Sequence, residues 1–135
     1  MLKIEHIGIA VKNLKEANVK YEKLLGRAPY KSELVESEGV NTSFFQMGDS
    51  KLELLEATEE SSPIKRFLDK KGEGMHHIAF EVLDINTEIE RLTGEGFELI
   101  GGPKEGADNM LVCFFHPRST NGLLIELCQQ KNTLA

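Results

Sequence analysis

One alternating pattern occurs twice in the chain, as Gly74-Met75-His76-His77-Ile78-Ala79-Phe80-Glu81-Val82 and as Glu5-His6-Ile7-Gly8-Ile9-Ala10-Val11. Successive side chains of a β-strand point to opposite faces, so each copy predicts a half-buried strand. In each copy a histidine, His6 or His77, shares a face with small or polar side chains and not with the large apolar ones. The repeat therefore indicates two related strands, each with an imidazole on its more polar face.

Each histidine strand opens a longer unit that the chain repeats. A run with helical spacing follows each strand and ends near a glycine, at Gly26 and at Gly94. Each copy then closes on an apolar strand with a central glutamate, which is Glu53 in the first copy and Glu126 in the second. Self-similarity of this kind predicts a duplicated fold.

The predicted elements of each copy are a strand, a helix and three further strands. We expect one domain over residues 1–135, made of two tandem βαβββ modules and a connector, with module 1 at about 1–57, the connector at about 58–73 and module 2 at about 74–130. In the second module, Gly101-Gly102-Pro103 predicts a loop that follows a short strand near Phe97–Ile100.

The composition is that of an ordinary globular protein, and its charge excludes one class of partner. The net charge of −6 argues against a nucleic-acid partner, because phosphate binding requires clustered cations. No apolar stretch reaches the length of about eighteen residues that a membrane-spanning helix needs, so we expect no membrane partner. The cysteines Cys113 and Cys128 show no paired spacings, which favours a reducing, cytoplasmic setting.

The repeated histidines and glutamates suggest a metal site. A strand histidine taken alone is usually structural, and a glutamate between leucines usually faces solvent. Four such residues at matching places in a duplicated unit could converge on one point if a pseudo-twofold axis related the modules. Imidazole and carboxylate ligands together suit a divalent transition metal with open positions for a chelating substrate. The shared register therefore gives a metal site formed by His6, Glu53, His77 and Glu126 equal weight with a purely structural role.

Two further features have simpler interpretations. Alternation places His76 on the face opposite to His77, so we predict a packing or hydrogen-bonding role for it. The basic pairs Lys65-Arg66 and Lys70-Lys71 follow a helix signal at Pro63. They favour a solvated helix face over a phosphate site.

Several motifs occur in a specific order along the chain: Leu52-Glu53-Leu54-Leu55-Glu56, Ser62-Pro63-Ile64, Phe67-Leu68, Gly74–Val82, Gly106-Ala107, Phe115-His116-Pro117 and Gly122–Leu127. In this order they resemble the vicinal oxygen chelate superfamily (glyoxalase, bleomycin resistance and dioxygenase proteins), and within it the methylmalonyl-CoA epimerase family. The resemblance covers Ile4–Gln129. It implies an α+β fold in which two tandem βαβββ modules form a curved, incompletely closed barrel-like sheet around a metal cleft. It also implies a homodimer.

Residue by residue, the resemblance places His6, His77 and Glu126 on metal-ligand positions and Glu53 on the fourth. It implies a divalent cofactor, either cobalt, nickel, manganese or zinc. The implied reaction interconverts the C2 epimers of an acyl-CoA substrate, methylmalonyl-CoA, through an enolate. Glu126 and Glu53 are the expected catalytic residues, because the strand at Val40–Met47, where some relatives carry another glutamate, has no carboxylate.

Two alternatives stay open. A lactoylglutathione lyase (glyoxalase I) needs the same ligand types and a similar enediolate, although the connector motif and Phe115-His116-Pro117 favour the epimerase. A non-catalytic small-molecule binding protein of the same superfamily usually lacks a complete ligand set, whereas this chain has one. The resemblance therefore favours a metal-dependent epimerase over both alternatives.

Overall fold

A computed structural model of the protein describes residues 1–131, which fall into two compact units. One unit is His6–His76, and the other combines Met1–Glu5 with the chain from His77 onward. The elements are β1 (Lys3–Ala10), α1 (Leu14–Leu25), β2 (Lys31–Val35), β3 (Val40–Met47), β4 (Ser50–Ala57), α2 (Pro63–Lys71), β5 (Gly74–Glu81), α3 (Ile85–Gly94), β6 (Leu99–Glu105), β7 (Met110–Phe115) and β8 (Leu124–Gln130). Short 3₁₀ turns occupy Glu36–Glu38, Ala107–Asn109 and Pro117–Ser119.

The first βαβββ module forms a sheet with the strand order β2-β3-β4-β1. β1 is parallel to β4, and the other neighbours are antiparallel. Helix α1 begins at Asn13, whose side chain accepts a hydrogen bond from the backbone of Glu16, and ends at Gly26 in the left-handed region. The helix covers one face of this sheet, where the buried core consists of Val11, Leu14, Ala17, Phe45 and Leu54.

The second βαβββ module repeats this arrangement with the strand order β5-β8-β7-β6. β5 is parallel to β8, and the remaining pairs are antiparallel. Asp84 caps α3 by accepting a hydrogen bond from the backbone of Thr87. The corresponding core consists of Val82, Ile85, Cys113, Phe115 and Leu127. The predicted duplication and α+β fold are therefore confirmed.

The duplication extends to single hydrogen bonds. The first backbone N–H of α1, from Leu14, donates to Glu56 Oε2 at 3.1 Å. The first backbone N–H of α3, from Ile85, donates to Gln129 Oε1 at 2.7 Å. A helix leaves its first N–H groups without partners inside the helix, so both bonds satisfy a donor that would otherwise lack one. Each bond also ties the start of a helix to the strand that carries the glutamate of the same unit.

The prediction for residues 101–103 was wrong. Gly101-Gly102-Pro103 does not form a loop, because β6 runs through it from Leu99 to Glu105. The pairing of β6 with β7 shifts register on both sides of Gly101. A β-bulge lets a strand accommodate glycine and proline, which weaken or interrupt a regular ladder. The turn-like composition therefore marks an irregular strand here.

Helix α2 begins at the predicted proline, and Ser62 Oγ accepts a hydrogen bond from the Ile64 backbone at 3.1 Å. Its buried residue Ile64 packs with Ala10 and Leu55. Those two side chains lie on the face of the sheet opposite to α1, because Leu54 belongs to the α1 core. Among residues 1–131, no helix has both the length and the apolar character that crossing a membrane requires.

Candidate metal site

His6 and Glu53 form a buried pair in the first module. The parallel register of β1 and β4 places His6 opposite Lys51, and Gly8 opposite Glu53. All four residues therefore share one face of the sheet, and Glu53 is a diagonal neighbour of His6. Diagonal neighbours in a sheet are within reach of long side chains. Glu53 Oε2 lies 3.2 Å from His6 Nδ1.

His77 and Glu126 form the equivalent pair in the second module. The register of β5 and β8 places His77 opposite Leu124, and Ala79 opposite Glu126. The distance from His77 Nε2 to Glu126 Oε1 is 3.1 Å. In both modules the residue opposite the glutamate is glycine or alanine, which leaves room for the carboxylate to lean towards the histidine. The structure thus brings together His6 with Glu53 and His77 with Glu126, as two pairs of the same design.

The side chains of both pairs are buried, and burial decides which partners their charges need. His6, Glu53, His77 and Glu126 are each 4–6% exposed. A carboxylate removed from water is costly unless a cation or hydrogen-bond donors compensate for the lost hydration. One imidazole beside one carboxylate offers nitrogen and oxygen donors of the kind that divalent transition metals bind. The donors present therefore fit a divalent ion.

A phenylalanine stands beside each glutamate on the next strand. Phe44 on β3 pairs with Glu53, and Phe114 on β7 pairs with Glu126. Phe44 is fully buried, and Lys51 Nζ lies 5.7 Å from the centroid of its ring. Aromatic rings next to a carboxylate exclude water, and charges interact more strongly where water is excluded. Each pair therefore sits in a partly apolar environment.

Sequence reasoning missed two residues on the face that carries Glu53. Lys51 is buried. The sequence could have indicated it, because it lies two residues before Glu53 on one strand and therefore on the same face. Thr42 lies on the same face of β3, opposite Leu55, and is also buried. Within residues 1–131 its hydroxyl has no hydrogen-bond partner. Both side chains can donate a hydrogen bond to an anionic ligand on this face.

His76 has the packing role that alternation predicts. Its ring meets the ring of Phe67 edge-on, with 5.0 Å between the ring centroids. This contact packs His76 against α2.

Comparisons with known proteins give consistent matches. Residues 5–114 match the sequence model of the Glyoxalase/Bleomycin resistance protein/Dioxygenase superfamily. The chain is 44% identical to YqjC of Bacillus subtilis, an uncharacterised protein, over 97% of this chain and 94% of YqjC. It is 38% identical to the ethylmalonyl-CoA/methylmalonyl-CoA epimerase of Cereibacter sphaeroides, over 94% of this chain and 97% of that protein.

A solved structure extends the similarity to the fold. It is a variant of the methylmalonyl-CoA epimerase of Streptomyces coelicolor, in complex with 2-nitronate-propionyl-CoA. The two chains superpose with a TM-score of 0.91 at 31% identity, over 98% of this chain and 99% of the other. The whole described fold is therefore shared with that structure.

Proposed function

Because this chain belongs to the Glyoxalase/Bleomycin resistance protein/Dioxygenase superfamily, we propose that it is a metal-dependent epimerase that interconverts the C2 epimers of methylmalonyl-CoA. The observation that carries this proposal is the duplicated pair, His6 with Glu53 and His77 with Glu126. Two carboxylates can flank the two faces of a planar enolate, which allows inversion at carbon more simply than a single base does. The similarity to a Cereibacter epimerase and to an acyl-CoA complex of a Streptomyces epimerase supports this choice of substrate.

In this proposal all four side chains bind one divalent ion, either cobalt, nickel, manganese or zinc. The equivalence of the two pairs supports one shared ion, since each pair alone offers only two donors. When bound, such an ion polarises a carbonyl and stabilises negative charge that develops on its oxygen. The chain itself contributes the ligand atoms and the rings of Phe44 and Phe114 beside the two glutamates.

In this proposal the two glutamates also transfer the proton. The proton on the carbon between the thioester and the carboxylate of the substrate must leave to a base beside it. A carboxylate is an effective base only when it loosens from the ion, so the two roles of each glutamate alternate. In one direction, one glutamate loosens and accepts this proton, and the other, protonated and not bound to the ion, returns a proton to the opposite face of the same carbon. The reverse reaction exchanges the two roles. Phe44 and Phe114, beside the two glutamates, limit competing proton exchange with water.

Exchange of the C2 proton with heavy water tests the proposal. We expect wild-type protein loaded with cobalt to introduce deuterium into methylmalonyl-CoA, as detected by mass spectrometry. Glu126→Gln is nearly isosteric and should lower the exchange rate by about 10²–10⁴-fold, the usual contribution of a general base. Glu98→Gln is a matched control, because Glu98 is exposed and pairs with Arg118. It should exchange at the wild-type rate.

Glu53→Gln separates the two roles of Glu53. Loss of exchange with retained metal binding would identify Glu53 as the second base, whereas full exchange would make it a ligand only. The proposal fails if no protein-dependent exchange occurs with any of the four metals while the methylglyoxal–glutathione adduct is turned over. That outcome would identify a lactoylglutathione lyase.

A further inference from the structure

Two neighbouring residues of β3 carry buried hydroxyl groups that lack hydrogen-bond partners. Thr42 is 1% exposed, and Ser43 is fully buried. Within residues 1–131, neither Thr42 Oγ1 nor Ser43 Oγ has a hydrogen-bond partner. A buried hydroxyl without a partner costs stability, and valine would fill nearly the same space as Thr42 without that cost. A hydroxyl that is unpaired in one arrangement of a site can, however, be paired in another.

Strand alternation places the two hydroxyls on opposite faces of the sheet. Ser43 pairs with Leu54, which belongs to the core that α1 covers. Thr42 pairs with Leu55 and therefore lies on the other face, which also carries Glu53. Thr42 on β3 and Glu53 on β4 are diagonal neighbours, about 7–8 Å apart, a distance that a long side chain can span. Of the two hydroxyls, that of Thr42 is thus the one within reach of the candidate site.

The carboxylate of Glu53 has Thr42 and His6 on opposite sides. In the structure its Oε2 lies 3.2 Å from Nδ1 of His6, on β1. His6 is level with Lys51, two residues before Glu53, whereas Thr42 is level with Leu55, two residues after it. His6 and Thr42 are therefore diagonal neighbours of Glu53 in opposite directions. Because a glutamate side chain is long and flexible, rotation can carry its carboxylate from one to the other.

A second carboxylate, Glu33, lies directly beside Thr42 but depends on it less. Glu33 pairs with Thr42 from β2. Its side chain is 35% exposed, and its Oε1 lies 3.5 Å from Lys31 Nζ. Glu53 is 4% exposed, so water cannot compensate its carboxylate when the carboxylate leaves His6. Glu53 therefore needs a donor from the protein, whereas Glu33 has a lysine and solvent.

We propose that Thr42 is a positioning residue, whose hydroxyl donates a hydrogen bond to Glu53 when this carboxylate turns away from His6. The inference rests on the proposed function, in which a glutamate must loosen from the ion before it accepts the C2 proton. A carboxylate that loosens in a buried site needs a new donor to replace the lost partner. Thr42 supplies this donor from a strand that is already in place, so the arrangement is preorganised.

Thermal unfolding of the metal-free protein tests the contact without any turnover. In the wild-type background, Thr42→Val removes an unpaired hydroxyl and should raise the unfolding midpoint by about 2–4 °C. In a His6→Ala background, Glu53 has lost its partner and turns to Thr42, so Thr42→Val should lower the midpoint instead. Ser43→Ala is the matched control, because it removes the other unpaired hydroxyl, on the opposite face. It should have the same effect in both backgrounds.

Kinetics test the role of Thr42 in the proposed reaction. Thr42→Val should lower kcat for methylmalonyl-CoA at least about tenfold, because the loosened Glu53 loses a hydrogen bond to a charged group. KM and the affinity for cobalt should stay within about twofold of wild type, since Glu53 remains beside His6 before the reaction. Thr42→Ser keeps the hydroxyl and should restore kcat to within about threefold of wild type. Ser43→Ala should leave kcat unchanged.

The two experiments separate this inference from the proposed function. If wild-type protein exchanges no C2 proton, the proposed function fails, while the unfolding midpoints still report on the contact between Thr42 and Glu53. A higher midpoint for Thr42→Val in both backgrounds would overturn the inference, because Glu53 would then not turn to Thr42. An unchanged kcat for Thr42→Val, with an active wild-type enzyme, would also overturn it.

Discussion

Burial changes the chemistry of Cys113, a residue on β7 outside the candidate site. Its side chain is fully buried, and the loss of hydration raises the pKa of the thiol to about 12. Thiols react with electrophiles as thiolates, so Cys113 is protonated and inert at neutral pH. Cys113 and Cys128 are both buried thiols, in agreement with their predicted places in strands.

The raised pKa of Cys113 predicts a pH dependence of stability. The folded protein keeps this proton above pH 9.0, the ordinary pKa of the thiol, while the unfolded chain releases it. The contribution of Cys113 to the free energy of unfolding is therefore complete below that pH and is lost as the pH rises towards about 12. We expect wild type to lose more stability than Cys113→Ala between pH 7.5 and pH 10, as measured by urea unfolding. Parallel pH curves for the two proteins would contradict this prediction.

Lys51 shows why one site residue escaped sequence reasoning. His6 lies opposite Lys51, but His77 lies opposite Leu124 in the second module. Reasoning from the repeat finds residues that occur twice, and this lysine has no counterpart. The histidines and glutamates were predictable as candidates because they recur in one register. Their pairing within 3.2 Å depends on strand pairing that the sequence does not specify.

At the level of secondary structure, the equivalent helices α1 and α3 use equivalent N-caps. Asn13 Oδ1 accepts from the Glu16 backbone at 2.9 Å, and Asp84 Oδ1 accepts from the Thr87 backbone at 3.1 Å. Such signals, together with apolar spacing, are local, which is why both helices were predictable from sequence.

Removing either cap should have the same effect. We expect Asn13→Ala and Asp84→Ala each to lower the free energy of unfolding by about 1 kcal/mol, because each leaves an N-terminal N–H group without its partner. Lys20→Ala, on the exposed side of α1, serves as a control and should change stability by less than about 0.5 kcal/mol. Urea unfolding followed by circular dichroism measures all three. A cost confined to one cap would show that the two helix starts are not equivalent.

Strand β6 is the element that sequence reasoning assigned least well. Gly102 has a φ of 97°, and an added Cβ would lie 2.5 Å from the carbonyl oxygen of Val112. A Cβ added at Gly101 would meet nothing within 4 Å. Glycine is needed at position 102 because β6 lies very close to β7 there, and this contact joins segments that are distant in the sequence. In the sequence alone, such a glycine cannot be distinguished from a loop glycine.

The two neighbouring glycines provide a matched test of this explanation. We expect Gly102→Ala to destabilise the protein by roughly 2–4 kcal/mol, through backbone strain and the clash with β7. Gly101→Ala should cost less than about 1 kcal/mol. The midpoints of thermal unfolding compare the two variants directly. Similar midpoints would mean that the bulge relaxes and that close packing of β6 on β7 does not require glycine.

For the whole molecule, duplication is the property that links sequence, fold and site. Each module builds the same sheet, buries the same kind of helix and presents one histidine–glutamate pair. The order of elements follows from local patterns that the sequence displays twice. The irregular path of β6 and the burial of Lys51 arise from contacts between distant segments, so a single sequence does not display them.

The binding stoichiometry of cobalt is the most direct test of the proposal that both pairs serve one metal centre. Calorimetric titration of wild-type protein should give one ion per chain. His6→Ala and His77→Ala should each abolish tight binding, because each removes one of the four proposed ligands of a shared ion, while circular dichroism shows that the fold is retained. Two ions per chain in wild type, with one retained in each variant, would contradict the proposal, as would unchanged binding in either variant.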